Sequence, residues 1–151
     1  NEQDARPMGR TAVGVRGIKL RGDDYVIGAG STSAGSALLT ITEKGYGKRT
    51  PVEEYSVHGR GGLGIKNYNV TDKTGKIADV LVVNDEDDIL VITDDGTIIR
   101  MSAANISLLS RATQGVRIMR IMEGSRVICI EKTDREEEAA EEDKSEDAPE
   151  N

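Results

Sequence analysis

Residues 56–67, SVHGRGGLGIKN, bring together the side chains of this chain that are best suited to chemistry. They place His58, Arg60 and Lys66 among four glycines, a composition too open for a helix because glycine lowers helix stability. Such a loop fits a phosphate cradle, a catalytic loop with the histidine as base, or a turn that directs two cations outward. The three alternatives make different demands on the neighbouring elements.

A nucleotide-binding cradle requires its glycines between a strand and a helix, with Gly-Lys-Ser/Thr or a βαβ unit around them. Here a strand-like pattern follows the glycines, which excludes both kinds of loop. A catalytic loop requires partners, yet His58 is the one histidine of the chain and has no cysteine, paired carboxylates or nucleophile signature beside it. We therefore expect no catalytic residue, and we interpret His58 as an exposed loop residue.

Two other groups are candidates for chemistry. Cys129 alternates with apolar neighbours on a strand, which favours a packed, inert thiol over a nucleophile. As the one cysteine, it excludes an internal disulfide framework and fits a reducing compartment. The acids of residues 85–88 lack the Asp-x-Asp-x-Asp-Gly spacing of a calcium loop, so an exposed turn is favoured and no metal site is expected.

The chain contains an internal repeat whose units begin at residues 10, 60 and 111. The segments RTAVGVRGIKL, RGGLGIKNYNV and RATQGVRIMRI each read Arg, three residues, Gly, a β-branched residue in the next position and then Arg or Lys. A second pair, LLTITEKGYGKRTP from Leu38 and ILVITDDGTIIRMS from Ile89, is offset by 51 residues. Repetition at this period, built of strands, predicts a blade or array architecture.

Short runs rich in Val, Ile and Thr, such as ALLTIT, IADVLVV, DILVIT and SRVICIE, end at turn signals that contain glycine. They predict an all-β fold of four-stranded antiparallel blades at about residues 6–36, 37–86 and 87–133. A short helical turn is expected in each unit, with Thr50 as cap and Pro51 in the first helical position in one of them. Residues 102–105 occupy the matching place.

Length and composition favour one soluble domain: 151 residues are enough for a core, and no apolar run approaches a membrane span. The first residues lack a signal-peptide pattern and look like mid-chain sequence, so we expect a piece of a larger protein. Aromatic residues make up only 3% of the chain, which argues against the stacking surfaces of many single-strand binders.

The net charge of −7 is concentrated at one end. Residues 134–151 hold ten acidic and two basic side chains, a net of −8, which leaves +1 for residues 1–133. Such a run repels itself and has little to bury, so we expect a disordered acidic tail. It could serve solubility, or it could compete with DNA for a basic surface.

The glycines of the repeat permit sharp turns, which we expect at Gly14, Gly61, Gly62, Gly64 and Gly115. These turns aim Arg60 and Lys66 outward, as they do Arg10 with Arg16 and Arg111 with Arg117. Cations spaced along stacked blades could hold duplex DNA through its phosphates and bend it without reading bases. Alternatively, the same cations decorate strand edges and guard against aggregation. Composition alone leaves both readings open.

The segments MGRTAVGVRGIKL, LLTITEKGYGKRTPVEEY, GRGGLGIKN and TQGVRIMRI closely resemble the C-terminal domain of the bacterial DNA gyrase A protein. The similarity covers residues 6–132, with several long strings in the same order. In that family the domain is a six-bladed β-pinwheel whose blades exchange strands, so the resemblance implies that this chain supplies about the last three blades.

The resemblance also implies a function. The family's domain wraps DNA chirally as part of DNA gyrase, a topoisomerase in which gyrase A and gyrase B form an A2B2 assembly that introduces negative supercoils with ATP hydrolysis. It implies no cofactor in this segment, since ATP and Mg²⁺ bind elsewhere in the holoenzyme, and a cytoplasmic, nucleoid-associated location. The phosphate contacts that follow from it are Arg10, Arg16, Lys19, Lys48, Arg49, Arg60, Lys66, Arg111, Arg117 and Arg120.

The chain departs from the family pattern in one motif. The family's box, Gln-Arg-Arg-Gly-Gly-Lys-Gly, has only a degenerate echo here, HGRGGLG at residues 58–64, so the role of the box is not transferred to it. The family's active-site tyrosine belongs to another part of gyrase A. The tyrosines of this segment, Tyr25, Tyr46, Tyr55 and Tyr68, are therefore expected to serve packing.

Two alternatives accompany the gyrase interpretation. The C-terminal domain of topoisomerase IV is related but has fewer, more degenerate blades, and the regular Gly-Val-Arg and GYGKRTP elements favour gyrase. A protein-interaction propeller of the WD40 or kelch kind would carry Trp-Asp or aromatic signatures, and this chain has no Trp and no Phe.

Overall fold

The computed structural model describes residues 5–133, and the predicted acidic tail lies outside the described residues. The described part is all-β, as predicted from the sequence, and no helix in it is long and apolar enough to cross a membrane. Its strands are β1 (Ala37–Thr42), β2 (Tyr46–Pro51), β3 (Ile77–Val83), β4 (Asp88–Thr93), β5 (Ile98–Ser102), β6 (Val116–Arg117) and β7 (Val127–Thr133).

The strands form two antiparallel sheets, ordered β3-β1-β2-β6 and β5-β4-β7. β4 begins 51 residues after β1, and both strands carry a register shift at the same repeat position, between Ile41 and Thr42 and between Ile92 and Thr93. Gly45 and Gly96 turn the two hairpins with φ of 75° and 85°, values that favour glycine. The sequence repeat is therefore a structural repeat down to its irregularities.

β6 completes the sheet of the preceding repeat. It follows β4 and β5 in the chain, yet it pairs with β2, with Gly47 opposite Val116 and Tyr46 opposite Arg117. Strand exchange between neighbouring units, which the family resemblance implied, is present in the structure. It places side chains from residues 46–50 beneath a segment that lies about 60 residues further along the chain.

The apolar core lies where the two sheets meet, around Leu39, Ile41, Val83, Ile89 and Val91, all fully buried. In the first strand the alternating positions 40 and 42 bury threonines instead. The Thr40 hydroxyl accepts a hydrogen bond from the Asn67 side-chain amide at 2.9 Å, so the buried polar group is satisfied.

The predicted first blade differs from the other two. Residues 5–36 contain no assigned strand, whereas residues 37–133 contain all seven. They hold the counterparts of β6 and β3 but no counterpart of the hairpin β1-β2, and extended segments need such a hairpin to pair with. Tyr25 in this region is 70% exposed, so the expectation that it packs is wrong. The blade boundaries themselves stay a prediction.

Two of the three predicted helical turns are present, as 3-10 turns at Val52–Glu54 and Ala103–Asn105, whereas residues 5–36 contain none. The predicted cap is wrong. Pro51 occupies the N-cap position, and no side chain caps the turn. The Thr50 hydroxyl donates instead to the Leu109 carbonyl at 2.8 Å, because the exchanged segment offers it an acceptor.

Cys129 is half-buried on β7, and burial, followed by the nearby Asp79 and Glu131, raises the pKa of its thiol, as suits an unreactive group. Asp85, Asp87 and Asp88, at the turn that leads into β4, form ion pairs. Asp87 pairs with Lys132 at 3.4 Å and Asp88 with Arg100 at 2.9 Å. Residues 5–133 contain no group of three or more potential metal ligands.

Candidate nucleic-acid interface

The three repeat segments lie side by side and are tied in series by one recurring hydrogen bond. The Lys19 amide donates to the Gly62 carbonyl at 2.8 Å, and the Asn69 amide donates to the Thr113 carbonyl at 3.0 Å. In both cases the tenth residue of one segment donates to the third residue of the next segment. We call residues 10–20, 60–70 and 111–121 together the basic track.

The basic track is far more positive than the chain around it. It holds eight cations and no acidic residue, although residues 1–133 together carry only +1. Seven of the cations are exposed and Arg111 is half-buried. Its members are Arg10, Arg16, Lys19, Arg60, Lys66, Arg111, Arg117 and Arg120. Charges of one sign on neighbouring segments create the local field that attracts a polyanion.

Arg111 joins two units of the track through its side chain. Its guanidinium Nη1 donates to the Lys66 carbonyl at 2.9 Å, and its backbone amide donates to the Glu54 carboxylate at 3.1 Å. The Arg111 side chain, which was predicted to point outward, therefore forms a contact with the preceding unit.

The turn glycines of the track adopt the predicted conformation at four of five positions. Gly14, Gly64 and Gly115 have φ of 83°, 73° and 69°, and Gly61 has φ of 75°. Gly62 is not among the residues with positive φ, and it serves as the carbonyl acceptor for Lys19. At Gly115 the space is also closed, since an added Cβ would lie 2.5 Å from the Gly47 carbonyl oxygen.

Arg117 lies over the buried ring of Tyr46 at one wall of a cleft of about 460 Å³. Its guanidinium carbon is 5.2 Å from the ring centroid, and Nη2 donates to the Tyr46 hydroxyl at 2.7 Å. The same ring carries the Lys73 ammonium at 5.6 Å. The Tyr46 side chain therefore orients two cations at once, by stacking and by a hydrogen bond.

Lys44, Lys73, Arg117 and Arg120 all line this cleft, and none of its lining residues is acidic. Sequence reasoning missed Lys44 and Lys73, because both lie in turns outside the repeat motif. A signal was available in the hairpin turn, where Lys44 precedes Gly45, but nothing local placed Lys73 beside Arg117.

Lys48 is wrongly predicted as a phosphate contact, because the structure buries it. Its side chain is 0% exposed, and the ammonium donates to the carbonyl oxygens of Ser110 at 2.6 Å and Arg111 at 2.5 Å. Burial lowers its pKa to about 8, while nearby Glu54 acts in the opposite direction. Lys48 holds the track from beneath rather than facing a ligand.

Arg49 is also wrongly predicted as a phosphate contact, because it too is buried. It is 6% exposed, its Nε donates to the Ile106 carbonyl at 2.9 Å, and its Nη1 forms an ion pair with Asp85. A guanidinium with fixed donors suits this role, because it can bond a carbonyl and a carboxylate at once. Of the ten predicted phosphate contacts, these two lie in the interior and eight in the track.

The charge and exposure of the track suit the binding of anions. His58 is exposed, as predicted, and its Nε2 lies 3.3 Å from the Ser56 hydroxyl, with no carboxylate to orient it among its described hydrogen bonds. What the geometry provides is a row of mostly exposed cations on three hydrogen-bonded segments. That arrangement positions a charged backbone without reading a sequence.

Comparison with known proteins agrees with this geometry. The sequence profile of the DNA gyrase C-terminal domain family, described as a β-propeller, matches residues 1–33, 36–84 and 87–130. Among curated relatives, the DNA gyrase A protein of Ureaplasma parvum serovar 3 is 42% identical over 119 residues, covering 79% of this chain. The DNA gyrase A protein of Staphylococcus aureus (strain NCTC 8325 / PS 47) is 43% identical over 148 residues, covering 95%.

The chain spans only 14% and 17% of the length of these two relatives. Among solved structures, a DNA gyrase A C-terminal domain matches with a TM-score of 0.80 and 27% identity, covering 87% of this chain and 45% of that one. The C-terminal domain of DNA topoisomerase IV matches with a TM-score of 0.77 over 89% of this chain and 42% of that one, but at 22% identity the likeness concerns the fold alone.

Proposed function

The chain belongs to the DNA gyrase C-terminal domain family, and on that premise we propose that its basic track binds duplex DNA without sequence preference and wraps it chirally. The observation that supports this most directly is the serial connection of the three repeat segments, with eight cations and no acid. A continuous row of cations can follow a continuous row of phosphates.

The track's side chains suit binding that bends DNA. Arginine and lysine at the end of flexible stems reach phosphates at varied depths, and arginine can bind two phosphate oxygens. Contacts with the backbone alone give an affinity that depends on salt and on the ease of bending rather than on bases. The cleft cations Lys44 and Lys73 extend the track beside Arg117.

Within a longer protein, the wrapped DNA would be handed to other parts of the enzyme. The names of the relatives favour DNA gyrase, so we propose an assembly of gyrase A with gyrase B that supercoils DNA with ATP hydrolysis. ATP and Mg²⁺ would bind elsewhere in that assembly, and this segment would contribute DNA geometry rather than a catalytic group. A location at the nucleoid follows from the same proposal.

A topological assay tests wrapping directly. The chain is bound to a nicked plasmid circle, ligase reseals the circle, and the change in linking number is measured after the protein is removed. We expect a shift of one sign that grows with protein concentration. In parallel, the affinity for linear duplex is measured across salt concentrations, where eight phosphate contacts would give a slope of about −7 in log K against log salt.

Matched variants distinguish a specific role of the track cations in DNA binding from a general effect of positive charge. Arg60→Gln combined with Lys66→Gln removes two track cations, whereas Arg126→Gln removes an exposed cation that pairs with Asp94 outside the track. We expect the double variant to lower the magnitude of the salt slope by about 1.8 and to reduce the linking shift, and the control to change neither. Binding without a linking shift would reject wrapping and keep only DNA attachment.

A further inference from the structure

The cleft beside Tyr46 has the size of a small-molecule site. Its volume of about 460 Å³ falls within the range of about 300–1,000 Å³ that is typical of ligand pockets. It lies where β6 pairs with β2, with Tyr46 opposite Arg117. Lys73 of the second repeat and Ser125 of the third also line it. The cleft is therefore built from two repeats that strand exchange has joined.

The protein itself holds three of the cleft cations in place. The ring of Tyr46 carries the Lys73 ammonium and the Arg117 guanidinium, and its hydroxyl accepts a hydrogen bond from Arg117. The Lys44 ammonium donates to the backbone carbonyl of Asp72. Ammonium and guanidinium groups carry several donors, so each keeps others for a ligand. Cations that are held in advance lose less freedom when a ligand binds.

The cleft concentrates positive charge without a balancing acid. Its cations are Lys44, Lys73, Arg117 and Arg120. The acids of the adjoining turns, Asp72 and Glu123, are not among its lining residues. The ion pairs described within residues 5–133, such as that of Arg126 with Asp94, involve other cations. Because like charges in one place repel each other, a bound anion lowers the free energy of this arrangement.

Duplex DNA alone does not account for this concentration of charge. Its phosphodiesters are spread along the backbone, about one charge per 1.7 Å of helix axis for both strands together, so few of them can enter one cleft. A triphosphate places its charges on adjacent phosphorus atoms, and a terminal phosphate by itself carries about −1.5 to −2 at pH 7. Four clustered cations match a ligand with several contiguous phosphates.

The cleft also has an apolar part, formed by Met119, Ile121 and Met122. Met119 is buried and Ile121 half-buried, whereas Met122 is 73% exposed. Methionine is flexible and polarizable and packs favourably against aromatic rings, so these side chains can cover one face of a flat base. A ligand that carries a nucleobase beside its phosphates can therefore use both kinds of lining.

We propose that this cleft binds a free nucleoside triphosphate, with its phosphates among the four cations and its base against the methionines. The nucleotide is bound and released unchanged, so this site is separate from the ATP hydrolysis proposed for the gyrase assembly. The site itself does not depend on DNA wrapping. Since Arg117 and Arg120 also belong to the basic track, bound nucleotide competes with DNA for them, and that consequence alone rests on the proposed function.

The test is isothermal titration calorimetry of the whole 151-residue chain in DNA-free, low-salt buffer with EDTA. The probes are ATP, AMP and ribose 5-triphosphate, which lacks the base. We expect one ATP to bind per chain with a Kd of about 100 μM or below. AMP should bind about tenfold more weakly or worse, because it brings fewer charges to the cations. Ribose 5-triphosphate should bind severalfold more weakly than ATP, because it cannot contact the methionines.

Variants locate the two parts of the ligand. Lys44→Gln combined with Lys73→Gln removes two exposed cleft cations and should weaken ATP binding about tenfold or more. The matched control, Arg60→Gln combined with Lys66→Gln, removes two cations that do not line the cleft and should leave the affinity for ATP unchanged.

Met122→Gln changes an exposed side chain of the apolar part. It should lower the affinity for ATP severalfold and leave that for ribose 5-triphosphate unchanged, because only ATP carries the base.

Three results would overturn the proposal. They are the absence of saturable ATP binding up to about 2 mM, ATP binding that the cleft double variant leaves intact, and equal affinities for ATP and ribose 5-triphosphate. Every measurement is made without DNA. Failure of the nucleotide site therefore leaves the wrapping assay unaffected, and a chain that does not wrap DNA can still confirm the nucleotide site.

Discussion

The ammonium group of Lys48 donates a hydrogen bond to the carbonyl oxygen of Arg111, 2.5 Å away. One buried cation thereby holds the backbone of a half-buried cation of the track. The two residues are 63 positions apart and belong to different repeats. Strand exchange thus lets the interior of one unit determine how the next unit presents its charge.

Lys48→Met should destabilise the fold without changing how many phosphates the chain binds. The variant leaves the carbonyl oxygens of Ser110 and Arg111 without their buried donor, at a cost of about 1–3 kcal/mol in the free energy of unfolding. Because Lys48 does not face DNA, we expect the salt slope of DNA binding to stay as in the wild type. Urea unfolding and salt titration measure the two effects, and a slope reduced by about 0.9 would return Lys48 to the phosphate contacts.

The stability of the chain should rise with pH between about 8 and 10 because of Lys48. In the folded state its pKa is about 8, against 10.5 in its ordinary environment, so the unfolded chain binds more protons in this window and unfolding becomes less favourable as pH rises. Below about pH 8 the ammonium is charged in both states. The cost of burying the charge is then present in full and no longer changes with pH. Urea unfolding at several pH values measures the rise, and Lys48→Met should lack it; parallel curves would contradict the assignment.

The buried phenol of Tyr68 should oppose the rise in stability with pH at the upper end of this pH range. Burial raises the pKa of its phenol to about 12, from an ordinary value of 10.0, and its hydroxyl donates to the Gln114 carbonyl. The folded chain keeps this proton while the unfolded chain loses it, so stability falls above about pH 10. Ultraviolet titration of phenolate, compared with Tyr68→Phe, should show one tyrosine that ionises near pH 12. A Tyr68 signal at about pH 10 would show that the ring is not held as described.

Gly115→Ala and Gly14→Ala separate two reasons for glycine at one repeat position. Both residues have positive φ, but an added Cβ meets the Gly47 carbonyl oxygen at 2.5 Å only at Gly115, whereas Gly14 has nothing within 4 Å. We expect a loss of about 1–2 kcal/mol in the free energy of unfolding for Gly14→Ala from backbone conformation alone. Gly115→Ala should cost clearly more, about 3 kcal/mol or above, since the pairing of β2 with β6 must also shift. Equal losses in urea unfolding would remove the close approach from the explanation.

Tyr46→Phe should weaken DNA binding without changing the number of phosphates bound. The variant keeps the ring beneath Arg117 but removes the hydroxyl that accepts from Nη2 at 2.7 Å. A guanidinium held less firmly loses more freedom on binding, so we expect a severalfold lower affinity with an unchanged salt slope. Arg117→Gln is the comparison, and it should reduce the slope by about 0.9. Identical slopes for both variants would mean that Arg117 does not contact phosphate.

Most of the architecture could be predicted from residues close in sequence. The hairpins, the 51-residue offset and the positive φ of Gly14, Gly64 and Gly115 follow from local patterns, because turn conformation and strand alternation are decided within a few residues. The eight track cations also follow from the motif, since residues next to its turns lie at the surface. Their contact with phosphate stays a prediction.

The burial of Lys48 and Arg49 could not be predicted from the sequence. Both belong to a polar, strongly charged run, YGKRTP, which by composition looks like a solvated edge. Burial there depends on residues 106–111, which come from the next repeat and cover the strand only after exchange. The same exchange brings Arg117 over Tyr46 and builds the cleft with Lys73. The sequence by itself determined the repeated strands, turns and surface cations, because these depend on local conformation; the tertiary structure alone decided which cations support the track and which face outward, because burial depends on partners distant in sequence.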